Sequence, residues 1–82
     1  MSALATRLPD DTEYVPDDAP LSYWLWNGVW WLHHPAVGTG CLAKHAVVVH
    51  EDGTITASPS IKIWGWRGMV HGYLERGCWR DV

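Results

Sequence analysis

The chain has 82 residues, a net charge of −3, and seven tryptophans but no phenylalanine. This length allows one domain with a small core and excludes a second core. Two cysteines are too few for a disulfide framework, and the absence of a basic stripe argues against direct binding of nucleic acid through its phosphates.

The first twenty residues form a distinct acidic segment. They carry five acidic side chains against a single arginine, and three prolines interrupt them. No hydrophobic periodicity persists here, so we predict a flexible, irregular arm at residues 1–20, followed by one β domain at residues 21–82. We expect the acidic arm to steer the protein towards a basic surface of a partner, using Asp10, Asp11, Asp17 and Asp18.

The most informative segment is a predicted β-hairpin at about residues 21–34, centred on Asn27-Gly28. Asn-Gly suits a type I′ turn, in which both central residues need a positive φ. A two-residue turn sets the strand register and gives the hairpin two apolar faces. One face holds Trp24, Trp26, Val29 and Trp31, and the other holds Tyr23, Leu25, Trp30 and Leu32. Either the hairpin is sandwiched inside the protein or one face serves a partner. We expect one face in the core and two or three of the hairpin tryptophans facing solvent.

Two further hairpins are predicted downstream. A three-residue turn closed by Gly53 pairs Val49 with Ile55, and a second three-residue loop, Glu75-Arg76-Gly77, precedes the last strand. Between them, Ser58-Pro59-Ser60 is expected to break the ladder, because proline donates no hydrogen bond. From Ile61 to Trp66 the residues alternate, with Ile61 and Ile63 on one side and Lys62, Trp64 and Trp66 on the other.

Strands that recur every 8–12 residues with glycine-containing turns indicate an all-β protein. We predict a single antiparallel meander of four to six strands, folded into a curled sheet or a partly open barrel. In this arrangement Trp79 pairs with Tyr73 across the last turn. Trp64 and Trp66 either cover the sheet or are partly exposed.

No motif links a nucleophile to a base, and the paired carboxylates lie in the arm or at a turn. We therefore expect a protein that is not an enzyme and needs no cofactor. A structural zinc site is the alternative, because histidine and cysteine are zinc ligands. Its candidate ligands are His34, Cys41, His45 and His71.

A family resemblance covers residues 40–79. Its motifs are Gly-Cys-Leu-Ala-Lys-His from Gly40, the segment from Glu51 to Ile61, and Val-His-Gly-Tyr-Leu-Glu-Arg-Gly-Cys-Trp at 70–79. This pattern resembles small zinc-ribbon-like proteins of bacteriophage and prophage genomes. Where the zinc-binding members carry cysteines, this chain has His33-His34-Pro35 and Ile63–Met69. The resemblance implies a degenerate ribbon in which tryptophans replace the metal.

In type, the chain is similar to anti-CRISPR proteins, which are mostly small and act by binding. We therefore expect a cytoplasmic inhibitor of a bacterial defence complex, in which a protein or ribonucleoprotein partner is bound by a monomer or homodimer. Trp24, Trp26 and Trp31 would be its anchors, with Trp64 and Trp66 as further contacts. On this reading, Trp24→Ala weakens binding while the fold survives. The alternatives are a degenerate zinc-ribbon structural module and a single-stranded nucleic-acid binder that uses the tryptophans as a platform.

Overall fold

A computed structural model describes residues 2–65 and 67–82 and confirms the all-β prediction. The described residues contain no helix, and hence none that could cross a membrane. The strands are β1 Ser2–Leu4, β2 Thr6–Arg7, β3 Ser22–Trp26, β4 Val29–His34, β5 Gly38–Cys41, β6 Ala46–Val49, β7 Ile55–Gly65, β8 Gly68–Glu75 and β9 Cys78–Asp81.

The strands form two sheets, where the sequence predicted a single meander of four to six strands. One sheet has the order β1-β9-β8-β7-β6 and the other the order β2-β3-β4-β5. The break falls between β5 and β6, where the amide of Leu42 donates to Trp30 O and the amide of His45 donates to Leu42 O. This turn ends the first sheet, so β6 pairs with β7 and not with β5.

The first hairpin has the predicted register. Trp24 lies opposite Trp31 and Trp26 lies opposite Val29. The turn residues Asn27 and Gly28 have φ angles of 53° and 77°, which only a few residue types adopt easily. This element could be predicted because its signal is entirely local.

The second hairpin also agrees with the sequence prediction. Val49 lies opposite Ile55, and Gly53, with a φ of 85°, donates its amide to His50 O at 3.0 Å. In the same loop, the hydroxyl and amide of Thr54 donate to Asp52, and these bonds hold the pKa of that carboxyl below its usual value.

The last hairpin differs from the prediction. Its loop has two residues, Arg76 and Gly77, both with positive φ, and Glu75 pairs directly with Cys78. The three-residue assignment was wrong because Arg76 is not a residue type that signals positive φ. The shorter loop places Trp79 opposite Leu74, and not opposite Tyr73 as predicted.

Strand β7 runs through the Ser58-Pro59-Ser60 segment, which was expected to break the ladder. The strand is continuous from Ile55 to Gly65, and the ladder absorbs the proline by a shift of register against β8 between Ala57 and Ile61. The predicted alternation beyond it is confirmed for the described residues, since Ile61 and Ile63 are buried while Lys62 and Trp64 are exposed.

The core lies between the two sheets. The hairpin β3–β4 contributes Tyr23 and Leu32, which are almost completely buried. The larger sheet contributes Ile55, Ala57, Ile61, Ile63, Leu74 and Trp79. The burial of Tyr23 raises the pKa of its phenol. One predicted face of the first hairpin is therefore the core face.

Much of the arm predicted to be irregular is joined to the sheets. Strand β1 pairs with β9, and β2 pairs in parallel with β3. Beyond β2, the amide of Leu8 donates to Tyr23 O at 2.9 Å and the amide of Asp11 donates to Leu25 O at 2.7 Å. The free backbone groups along the edge of β3 explain this pairing, because a buried unpaired amide or carbonyl is costly. Tyr14 and Val15, farther along the arm, form no strand.

Candidate functional site

The second face of the first hairpin carries three tryptophans, Trp24, Trp26 and Trp31. Trp24 is 5% exposed, whereas Trp26 and Trp31 are half-buried. The rings of Trp26 and Trp31 meet edge to face, with centroids 6.1 Å apart and planes inclined at 65°. The indole N–H of Trp31 donates to Trp26 O at 3.4 Å. Two differently oriented aromatic walls therefore stand beside each other, with Trp24 below the surface.

None of the four hairpin tryptophans is fully exposed, although two or three were expected to face solvent. The fourth, Trp30, lies on the opposite face, where the guanidinium of Arg7 sits 5.1 Å from its ring centroid. Trp26, Trp30 and Trp31 are nevertheless partly exposed, so the expectation of one core face and one partly exposed face is met except at Trp24, which is buried.

The arm covers the second face only in part, and a cleft remains. After Asp11, residues 12–15 line a cleft of about 270 Å³ together with Trp24, Trp26, Trp31 and Thr39. Tyr14 is 78% exposed and forms the rim. This volume is below the roughly 300–1,000 Å³ of pockets that hold drug-sized ligands, so the cleft suits a side chain or the head of a small ligand.

The polar side chains that line the cleft differ in whether they already form hydrogen bonds within the protein. The hydroxyl of Thr12 donates to Pro9 O at 2.6 Å, and the hydroxyl of Thr39 shares a hydrogen bond with the Nδ1 atom of His33 at 3.0 Å. Glu13 is exposed and contributes the only charged side chain among the residues described as lining the cleft. The cleft therefore combines ring faces with one carboxylate.

The acidic side chains of the arm are all exposed, but they occupy different places. The pairing of Asp11 with Leu25 holds it beside the end of β3. Asp10 forms an ion pair with Arg7 at 3.2 Å. Asp17 lines a separate hollow with Arg67, near the connection from β4 to β5, and Asp18 is exposed. Of these acidic residues, only Glu13 is among those that line the aromatic cleft.

Trp64 belongs to the other sheet and is not part of the cleft. It is 70% exposed on β7, opposite Met69, which is 48% exposed. The sequence left its position open between core and surface, and the structure places it at the surface. Trp66 lies outside the described residues. The predicted set of partner-binding tryptophans is therefore divided between two surfaces.

The four candidate zinc ligands are not brought together. His34 lies against the Trp79 ring, with centroids 5.5 Å apart, and burial lowers the pKa of its imidazole. Cys41 is exposed, and its Sγ accepts the amide of Ala43. Within residues 2–65 and 67–82 no group of three or more histidine, cysteine or acidic residues is arranged to hold a metal ion.

The other two candidate ligands meet at one serine. A hydrogen bond of 2.7 Å joins the Nε2 atom of His71 to Ser60 Oγ, and one of 3.2 Å joins the Nε2 atom of His45 to Ser60 O. A serine beside a histidine is the start of a nucleophile–base pair, but such a pair also needs an orienting group. Among the described residues, no carboxylate hydrogen-bonds to His71, so this contact lacks the orienting group that such a pair requires.

Sequence reasoning missed Glu13 and Tyr14 as members of the site. The available signal was the pair Tyr14-Val15, which is apolar within a polar and proline-rich segment. Val15 of this pair is half-buried, as expected for an apolar side chain near an apolar surface, whereas Tyr14 stays exposed. The face of the hairpin with Trp24, Trp26 and Trp31 had no other cover.

Comparison with family models, with curated proteins and with solved structures found no match to this chain.

Proposed function

We propose that this protein is a non-enzymatic binding module that docks on a basic region of another protein. The observation that carries the proposal is the position of the arm, which is held at Asp11 by its bond to Leu25 and places Glu13 among the residues that line the cleft with Trp26 and Trp31. Aromatic side chains provide the buried anchors of interfaces, and surrounding charges select and steer the partner.

The distribution of charge supports a basic partner. Residues 1–20 carry a net charge of −4, from five acidic side chains against Arg7, and the acidic groups are exposed. A long-range attraction of this kind raises the association rate and weakens as salt is added. We therefore expect binding that is fast and sensitive to salt.

The identity of the partner follows from the resemblance alone. On that basis we propose a bacterial defence complex in the host cytoplasm, whose basic nucleic-acid-binding surface the acidic arm would occlude. The direct test is co-elution of the full chain with purified CRISPR effector complexes at low and high salt. Failure to co-elute with any of them contradicts this choice of partner.

A charge variant tests the docking face itself. Replacement of one exposed acid at the cleft, Glu13→Gln, should weaken salt-sensitive co-elution while the circular dichroism spectrum stays unchanged. Glu51→Gln is the matched control, because Glu51 is equally exposed but lies in the loop between β6 and β7. Equal losses in both variants would show that net charge, and not this face, governs binding.

A second candidate function is binding of single-stranded nucleic acid. It is favoured by the exposed ring of Trp64 on the same side of β7 as Lys62, since bases stack on aromatic rings beside cationic side chains. Fluorescence titration with a labelled oligonucleotide tests it. Affinity that falls with salt and is lost in Trp64→Ala supports this function.

A further inference from the structure

We infer that the cleft between the arm and the first hairpin is an aromatic cage for a trimethylammonium group. Its walls are the rings of Trp26 and Trp31, Trp24 lies at its base, Tyr14 forms the rim, and Glu13 supplies a negative charge. We assign this group to a trimethylated lysine of a protein partner, and that assignment rests on the proposed function. The preference of the cleft for a trimethylammonium group does not depend on the proposed function.

The first argument is the arrangement of the rings. The faces of aromatic rings attract cations, and quaternary ammonium groups are recognised by several rings that surround them. Trp26 and Trp31 are inclined at 65° with centroids 6.1 Å apart, so they present two different orientations to the cleft. A rounded cation can lie against both rings, whereas the flat guanidinium of arginine stacks on one ring at a time.

The second argument is that the tryptophan walls of the cleft carry no hydrogen-bond acceptor. An unmethylated ammonium carries three N–H donors and is strongly hydrated. Indole carries an N–H donor but no acceptor, so an ammonium that lies against Trp26 and Trp31 exchanges its hydration for ring faces. Methylation removes the donors and weakens hydration, so a trimethylammonium loses less on entering than a primary ammonium does.

The third argument is that none of the residues described as lining the cleft is a cation. On the opposite face of the same hairpin, the Trp30 ring already has the guanidinium of Arg7 at 5.1 Å. Glu13 stands at the cleft without a lysine or arginine among the other lining residues. The cleft therefore has the electrostatic character of a cation-binding site. Because none of its lining residues is a cation, the cation would come from a ligand.

The test uses three small probes of similar shape. Choline carries a trimethylammonium, 3,3-dimethyl-1-butanol is its neutral carbon analogue, and ethanolamine carries a primary ammonium. Each is titrated into the full chain while the indole N–H signals are followed by NMR. We expect choline to shift the signals of Trp26 and Trp31 and to bind about tenfold more tightly than either analogue.

Variants assign the effect to the cleft. Trp26→Ala should reduce choline affinity about tenfold or more, and Glu13→Gln should reduce it without changing the affinity for the neutral alcohol. Trp64→Ala, which removes an exposed tryptophan from the other sheet, should leave it unchanged. Glu13→Gln also covers the case in which Trp26→Ala fails to fold, since Glu13 is exposed.

The source of the group is decided by a peptide that carries one trimethyllysine, compared with the same peptide unmethylated. Tighter binding of the methylated peptide than of choline supports a protein source, and the reverse indicates a small molecule. Equal binding of choline and the neutral alcohol, or no shift of either indole, overturns the cage. If the cage fails while co-elution still depends on the acidic arm, the proposed function stands without it.

Discussion

Two tryptophans that look alike in the sequence have opposite roles in the structure. Trp24 is 5% exposed and Trp64 is 70% exposed. We expect Trp24→Ala to lower the free energy of unfolding by about 3–5 kcal/mol, because it leaves a large cavity. Trp64→Ala should change it by no more than about 0.5 kcal/mol. Urea denaturation followed by circular dichroism measures both.

This expectation replaces the sequence-based one, in which Trp24→Ala weakens partner binding while the fold survives. A stable, folded Trp24→Ala protein would show that the arm does not bury this ring in solution. The change of interpretation has a physical cause. Strand alternation assigns Trp24 to a face of the hairpin, but only the position of the arm determines whether that face is covered.

His34 gives the protein a predicted dependence of stability on pH. Burial lowers its pKa below the ordinary value of 6.5, and the amide of Ala36 donates to its Nδ1 atom at 3.1 Å. Below pH 6.5 the unfolded chain therefore binds more protons at this site than the folded chain. Stability contributed by neutral His34 is complete above pH 6.5 and is lost as the pH falls towards the lowered value.

The measurement is thermal unfolding of the wild type and of His34→Gln between pH 7.5 and pH 5. We expect the difference in stability between the two proteins to shrink as the pH falls, because glutamine does not titrate. All other residues are the same in both proteins, so their contributions cancel to first order in this difference. A constant difference across the range would contradict the assignment to His34.

Among the elements, the arm is the one whose attachment most needs a test. Asp11 has a φ of 64° and donates its amide to Leu25 O. Proline can satisfy neither requirement, since its φ is fixed near −65° and it has no N–H. Asp11→Pro should therefore release the segment that lines the cleft. The expected result is faster proteolysis within residues 8–20 and a red shift of tryptophan fluorescence.

Asp11→Gly is the matched control for this substitution. Glycine adopts a positive φ freely and retains the amide donor, while it removes the same carboxylate. The arm should stay in place in this variant. If Asp11→Gly and Asp11→Pro are equally sensitive to protease, the backbone of Asp11 does not hold the arm.

The elements that the sequence predicted are those whose signals are local. Asn27-Gly28 and Gly53 determine their own turns, and the register of each hairpin follows from the loop length. The division into two sheets and the docking of the arm depend on pairings between distant residues. Ala3 pairs with Trp79, and Thr6 pairs in parallel with Ser22. The sequence near either partner contains no local signal, such as a turn motif, that predicts these contacts.

The residues of the candidate site likewise fall into those predicted from local signals and those that were missed. Its tryptophans were predicted, because the hairpin that carries them was predicted with the correct register. Glu13 and Tyr14 were missed as members, because they reach the hairpin only through the docked arm. The sequence therefore predicted the tryptophans that form the walls of the cleft, but not the arm residues that close its other side.

On the scale of the whole molecule, the outer edge of the larger sheet at β6 is poorly protected. The strand is Ala46–Val49, and Val48 and Val49 are each more than half exposed. Most edge strands are protected by lysine, proline or a bulge, because their free amides and carbonyls can pair with another chain. His50 donates its amide to Thr54 O, so alternation directs the backbone groups of Val47 and Val49 away from β7.

This edge is complementary to itself. In an antiparallel pair of two copies centred on Val48, the hydrogen-bonding residues Val47 and Val49 face each other. We expect reversible dimerisation that increases with protein concentration. Val48→Lys should abolish it, because the two lysines would lie directly opposite each other. Sedimentation velocity measures the effect, and Trp64→Lys, which adds the same charge away from the edge, is the control. A wild type that stays monomeric at high concentration would contradict this pairing. A dimer lost only in Val48→Lys would place the interface at β6. Such a dimer would leave the aromatic cleft of each copy accessible.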